Sequence, residues 1–175
     1  MKKKIIFIIG GARSGKSSFA VSLAKKISDN VYFIATCNPQ DKEMKKRVAI
    51  HKKDRPEKWK TIEEYYDISS ALEKIQQEEI NGIIIVDCLT LWISNLMMKK
   101  YKEKDILKEA EKTIASAQKL SSSIIIVSTE VGVGIVPANK IAREFRDITG
   151  RLHQFIAGKS DEVYLMCAGI PIKIK

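Results

Sequence analysis

Eight consecutive residues, Gly10-Gly11-Ala12-Arg13-Ser14-Gly15-Lys16-Ser17, carry the clearest chemistry in this 175-residue chain. They satisfy G-x-x-x-x-G-K-[ST]. In that pattern glycines let backbone N–H groups turn inward around phosphate oxygens, the lysine reaches the β- and γ-phosphates, and the hydroxyl binds Mg2+. The flanks agree: an apolar, β-branched run from Ile5 to Ile9 precedes the loop, and Phe19, Leu23 and Ile27 recur at helical spacing after it. A helix starting there turns its positive end toward a bound anion. A cation held by one hydroxyl and by phosphates takes a carboxylate from the end of another strand. Asp87, closing Ile83-Ile84-Ile85-Val86-Asp87, fits that role, with a helix N-cap for Leu89 to Leu96 as its competing one.

A second candidate lies in a basic segment. From Lys42 to Lys60 nine basic side chains (Lys42, Lys45, Lys46, Arg47, Lys52, Lys53, Arg55, Lys58, Lys60) stand against three acidic ones (Glu43, Asp54, Glu57). Such a field concentrates polyanions, and a nucleoside triphosphate suits it as well as RNA does. Within it sits His51. Neighbouring cations favour a neutral imidazole, the nucleophilic form, and hold a triphosphate beside it. A histidine so placed can attack an α-phosphorus, expel pyrophosphate and carry the nucleotide as a phosphoramidate; a purely structural role is the alternative. The other histidine, His153, falls off the stripe Ile141, Phe145, Ile148, Leu152, Phe155, which predicts a position on the helix surface.

The elements that must position these residues follow from periodicity. Apolar runs at Ile5 to Ile9, Val31 to Ala35, Ile83 to Val86, Ile124 to Val127 and Val163 to Met166 alternate with helical segments, the βαβ rhythm of a parallel sheet covered on both faces. Asn38-Pro39 is expected to open a helix running through His51, and Pro137 to start the helix bearing the stripe. The tail from Ala168 reads as a turn and a short edge strand. No repeat or linker divides the chain, so residues 1–175 are expected to form one domain.

Composition bounds the partners. The chain is 45% hydrophobic and 30% charged with a formal charge of +10, but 25 of its 31 basic residues are Lys, which lacks the fork that makes Arg the reader of bases. No nucleic acid partner is expected. The apolar runs fall far short of the roughly 20 residues of a membrane helix, and the five after Lys4 are too few for a signal peptide. A cytoplasmic protein without stable membrane insertion is the expectation. Cys37, Cys88 and Cys167 show no paired spacing and are expected to be reduced and buried.

The phosphate loop, Tyr32-Phe33-Ile34-Ala35-Thr36, Arg47 to Pro56 with Trp59, the Asp87 strand end, Glu130-Val131-Gly132-Val133-Gly134-Ile135-Val136-Pro137 and Phe145-Arg146-Asp147-Ile148-Thr149-Gly150-Arg151 together resemble the bifunctional adenosylcobinamide kinase and adenosylcobinamide-phosphate guanylyltransferase family. The likeness spans nearly the whole chain. It implies an α/β P-loop NTPase fold of RecA-like strand order, and a late step of cobalamin assembly. Adenosylcobinamide is phosphorylated by ATP or GTP, and adenosylcobinamide phosphate then receives GMP from GTP, with Mg2+ as cofactor and a homotrimer as the assembly. By position His51 matches the family's guanylylated histidine. Gly10, Gly11, Ala12, Arg13, Ser14, Gly15, Lys16, Ser17, Ala35, Thr36, Cys37, Lys52, Lys53, Asp54, Arg55, Glu63 and Asp87 match its nucleotide-contacting positions, with Ser17 and Asp87 on the metal. Two rival readings remain: a P-loop small-molecule kinase in which His51 is structural, and a nucleic-acid-binding ATPase module. The scarcity of Arg and the lack of an aromatic-rich basic strand oppose the second.

Overall fold

An uninterrupted apolar strand has two faces to bury, and this chain buries both. The computed structural model describes residues 3–39, 42–53, 55–78 and 82–175, with the side chains of Arg47, Ile50, His51 and Lys53 outside the description. In chain order the elements are β1 (Ile5–Gly10), α1 (Lys16–Ile27), β2 (Val31–Ala35), α2 (Lys42–Lys53), β3 (Lys60–Glu63), α3 (Ile68–Gln77), β4 (Ile83–Asp87), α4 (Leu89–Met98), α5 (Glu103–Lys119), β5 (Ser123–Thr129), α6 (Lys140–Lys159), β6 (Glu162–Cys167) and β7 (Ile170–Lys173). The strands form one sheet in the order β3-β2-β4-β5-β1-β6-β7. Pairing is parallel throughout except between β6 and β7.

Alternation along the strands divides the core in two. Phe7, Ile34, Ile84, Val86, Ile124 and Ile126 point to a face covered by α3, α4, α5 and α6, where Leu72, Trp92, Ile106 and Leu152 seal it. Ile6, Ile8, Phe33, Ile83, Ile85, Ile125 and Val127 point to the other, where Ala20 and Ala24 of α1 and Trp59 cover them. Two alanines on α1 let that helix come close to the sheet, which keeps the phosphate loop at its N-terminus tight against β1.

The five expected strands and the C-terminal edge strand are present. β3 was not expected: Lys60-Thr61-Ile62-Glu63 carries one apolar residue, and pairing with β2 makes it a strand. Asn38 and Pro39 are not helical, α2 being described over Lys42–Lys53, and α6 starts at Lys140 behind an Asn139 cap rather than at Pro137. All three cysteines are free thiols, but the expected burial holds for Cys88 alone, since Cys37 is half-buried and Cys167 exposed. His153 is also corrected: it is 7% exposed, inside the core. The buried line of α6 runs through Ile148, Thr149, Leu152, His153 and Ile156, while Ile141 at the head of the expected stripe faces solvent.

Candidate active site

Three strand ends meet at the carboxyl edge of the sheet. Gly10 of β1 lies beside Thr129 of β5, and Asp87 of β4 pairs with Val127 of the same β5. Strand β5 therefore separates the phosphate loop from the carboxylate, and its last residues open between them. Open α/β sheets bind ligands at this edge.

Local constraints shape the loop. At Gly10 a Cβ would lie 2.5 Å from the Met166 carbonyl oxygen and 2.7 Å from Ser14 Oγ, so only glycine fits. Gly15, at φ 91°, takes the left-handed conformation that leads into α1. The Ser14 N–H donates to Gly11 O at 3.2 Å, and the Gly169 N–H donates to Ser14 O at 3.1 Å. That second bond comes from the two-residue hairpin Ala168-Gly169 between β6 and β7, whose φ values of 49° and 84° suit a twisted antiparallel turn. Lys16 is buried and its Nζ donates to Gly11 O at 2.7 Å, arching back over its own loop. Burial pushes its ammonium below the usual lysine value, with Asp87 acting in the opposite sense. A phosphate brought to this lysine would add counter-charge at the buried ammonium.

A cavity of ≈ 550 Å³ opens beside the loop, the size of a small-ligand site. Ser17, Asp87 and Arg55 line it together, joined by Phe33, Lys25 and Lys26. The Arg55 guanidinium stacks on Phe33, 3.5 Å from the ring centroid, which fixes a cation over the cavity. The hydroxyl of Ser17 and the carboxylate of Asp87 are hard oxygen donors that suit Mg2+. Among the described residues no cluster of three or more His, Cys, Asp or Glu side chains is grouped for a metal. A cation at Ser17 and Asp87 would thus complete its shell with phosphate and water oxygens.

The other residues singled out from the sequence are used differently. Thr36 is a brace: its Oγ1 donates to Cys88 O and accepts from Cys88 N–H, both at 2.7 Å, and its own N–H donates to Asp87 O at 3.2 Å. Asn95 locks the same turn by donating to Thr36 O at 2.8 Å. The Asp87 carboxylate is not a helix cap, since the N-cap of α4 is Cys88. Burial pushes the Cys88 thiol up to about 12, so it stays protonated. Lys52 pairs with Glu63 at 2.6 Å, and the Tyr65 hydroxyl donates to the other Glu63 oxygen at 2.7 Å. These partners hold the Glu63 carboxyl below the usual range and push the Tyr65 phenol up to about 12. Ala35 and Thr36 are buried, Cys37 is half-buried, and Gly11, Ala12 and Arg13 are exposed. Asp54 lies outside the described residues, and the side chains of His51 and Lys53 are likewise outside the description.

Sequence reading missed a buried polar chain behind the phosphate loop. Thr90 Oγ1 lies 3.0 Å from Ser128 Oγ, Ser128 Oγ lies 2.7 Å from His153 Nε2, and His153 Nδ1 lies 3.4 Å from Glu130 Oε2. Glu130 accepts from Gly132 N–H, and its own N–H donates to Gly10 O at 2.8 Å. Burial lowers the His153 imidazole from its usual value while Glu130 opposes. The signal in the sequence was Ser128-Thr129 directly after the apolar run Ile124 to Val127, where a polar pair requires buried partners.

The model of the family described as cobinamide kinase / cobinamide phosphate guanyltransferase matches residues 6–174. The chain is 36% identical over 185 residues to the bifunctional adenosylcobalamin biosynthesis protein CobU of Escherichia coli (strain K12), covering 98% of this chain and 99% of that protein. It is 38% identical over 168 residues to the bifunctional adenosylcobalamin biosynthesis protein CobP of Pseudomonas aeruginosa, covering 96% and 95%. Among solved structures, a KaiC-like protein from the archaeon Pyrococcus horikoshii superposes with a TM-score of 0.53 at 14% identity, over 93% of this chain and 70% of that one. The RecA-like P-loop fold expected from the sequence is the fold present.

Proposed function

The chain belongs to the cobinamide kinase / cobinamide phosphate guanyltransferase family, and from that premise we propose that one nucleotide site serves two reactions of adenosylcobalamin biosynthesis. In the first, the γ-phosphoryl group of ATP or GTP passes to the aminopropanol hydroxyl of adenosylcobinamide. In the second, GMP passes from GTP to the adenosylcobinamide phosphate, giving adenosylcobinamide-GDP and pyrophosphate.

The roles follow from the cavity. Inward-turned backbone N–H groups of Gly10 to Ser17 cradle the phosphates, Lys16 leaves Gly11 O to meet the β- and γ-phosphates, and Arg55 faces them from the Phe33 platform. Ser17 and Asp87 would hold Mg2+, which would neutralise phosphate charge there. The remaining task is positioning, which a loop fixed at both ends provides. His51 acts in the second reaction as the nucleophile toward the α-phosphorus of GTP, and Lys52, Lys53, Asp54, Arg55 and Glu63 form the surroundings of the nucleotide. The observation that carries this reading is Arg55: it lines the phosphate cavity four residues after His51, which supports a guanylylation site at the end of α2.

The same reading takes the protein as one domain over residues 1–175, consistent with one continuous sheet, and as a homotrimer. Support for self-association is an apolar groove of ≈ 750 Å³ lined by Met97, Met98, Tyr101, Ile141 and Phe145, with Met98 and Ile141 largely exposed. No helix of the described residues is long and apolar enough to cross a membrane. A cytoplasmic location suits three cysteines that form no disulfide.

The test is incubation of wild type and His51→Ala with α-labelled GTP and Mg2+. Protein-bound label that acid releases and alkali does not, in wild type alone, is the expected result. Absence of label in both, with GTP binding intact, would reduce the protein to a kinase.

A further inference from the structure

The loop from Glu130 to Pro137 takes no part in the chemistry above, yet it leaves the sheet at the centre of the site. Its first residue is tied to the first residue of the phosphate loop, because the Glu130 N–H donates to Gly10 O at 2.8 Å. Since β5 lies between β1 and β4, the loop departs between Gly10 and Asp87.

Both ends of the loop are pinned. The Glu130 carboxylate accepts from Gly132 N–H and faces the buried His153 ring. At the other end the Arg143 guanidinium donates to Pro137 O at 3.0 Å and to Ala138 O at 2.6 Å. Between these anchors Val133, Ile135 and Val136 are 89%, 97% and 61% exposed, and no charged side chain occurs from Val131 to Pro137. A run of exposed large apolar side chains three to six residues beyond Glu130, the strand-end residue bonded to the phosphate loop, marks a surface for a different part of the reaction partners. The nucleotide phosphates find their counter-charges at Lys16 and Arg55, and the loop offers none. What must still arrive at the phosphate edge is the acceptor.

We infer that the exposed face of Val133, Ile135 and Val136 is the acceptor wall, against which the broad, methyl- and amide-fringed ring of the corrinoid rests while its hydroxyl, and later its phosphate, reaches the nucleotide. The inference rests on the kinase and guanylyltransferase reading. It adds to it the part of the chain that recognises the corrinoid.

The test is the double variant Val133→Ser/Ile135→Ser, whose changes lie at exposed positions. Three quantities are compared with wild type: the KM for adenosylcobinamide and for ATP in the kinase reaction, labelling by α-labelled GTP without corrinoid, and sedimentation. Adenosylcobinamide binding is also measured directly by equilibrium dialysis, read from the corrin absorbance. The acceptor wall predicts that acceptor KM and Kd rise about tenfold or more, the loss of two apolar contacts. ATP KM, labelling and mass stay unchanged. An unchanged acceptor Kd overturns the inference, and so does a fall in mass with normal acceptor binding, which would give the face to a second copy of the chain. If wild type binds the corrinoid without phosphorylating it and the variant loses binding, the functional reading falls and the wall stands. If wild type does not bind it, both fall.

Discussion

Helices α2 and α6 each carry one of the two histidines, and they solve opposite problems. Among the described side chains of α2 none is buried, and Lys42, Lys45, Lys46 and Lys52 face solvent. Helix α6 drives Ile148, Thr149, Leu152, His153 and Ile156 into the core, and its histidine is wired to Ser128 and Glu130. The contrast separates two ways in which a fold uses an imidazole. One lies in a cation-rich stretch of the sequence, on a helix whose described side chains stay out of the core, and is proposed to meet a ligand. The other is committed to internal partners and serves geometry.

Substitutions sharpen that contrast. The largest effect is expected from His51→Ala, which should lower guanylyl transfer by at least about a thousandfold. Thermal unfolding should stay near wild type, because none of the described side chains of α2 is buried; a large Tm loss would erase the distinction between the helices. Lys16→Ala comes next, with both reactions slowed about a hundredfold or more, as for loss of a principal phosphate contact. Steady-state rates with ATP and with GTP check it.

His153→Ala should act in the reverse sense to His51→Ala. It removes one partner each from Ser128 and Glu130 and opens a cavity beside Phe7, whose ring meets the imidazole edge-on at 5.6 Å. A loss of about 2–3 kcal/mol is expected, read as a Tm drop of about 6 °C, with labelling at His51 retained. The pH dependence of stability follows from the same burial. Because the folded imidazole titrates below the unfolded value of 6.5, the unfolded chain binds the proton first. Stability is therefore full above pH 6.5 and declines as pH falls below it. Urea unfolding of His153→Asn from pH 7 to 5 should lack that component. The smallest effect belongs to Glu162, ion-paired with Lys4 and Lys173 and lowered to about 2. Its contribution is present above 4.5 and lost as pH falls toward 2, so the gap between wild type and Glu162→Gln should close over that interval.

The phosphate loop and the parallel sheet were legible because both are local. Gly15 must be left-handed, and the apolar runs of β1, β4 and β5 are buried on both faces. Thr36 was legible as a position but not as a brace, since its partner Cys88 is distant in sequence. His153 was misplaced because a helical stripe drawn through large apolar residues skips polar ones. Burial here was set by Ser128 and Glu130, more than twenty residues away. β3 escaped because an edge strand needs a neighbour's backbone more than it needs apolar side chains.

The strand that carries the phosphate loop, β1, is flanked by β5 and β6, which follow it by most of the chain. On a ribosome working at roughly 5–20 residues per second, Ile5 to Ile9 would wait on the order of ten seconds before either neighbour emerged. The hairpin that buttresses Ser14 comes later still. Nucleotide cannot assist the early stages of folding, because its cradle closes among the last events. An apolar, edge-exposed segment must meanwhile be kept from pairing with other chains. Yield in cells should therefore depend on holdase chaperones more than the final stability of the protein would suggest.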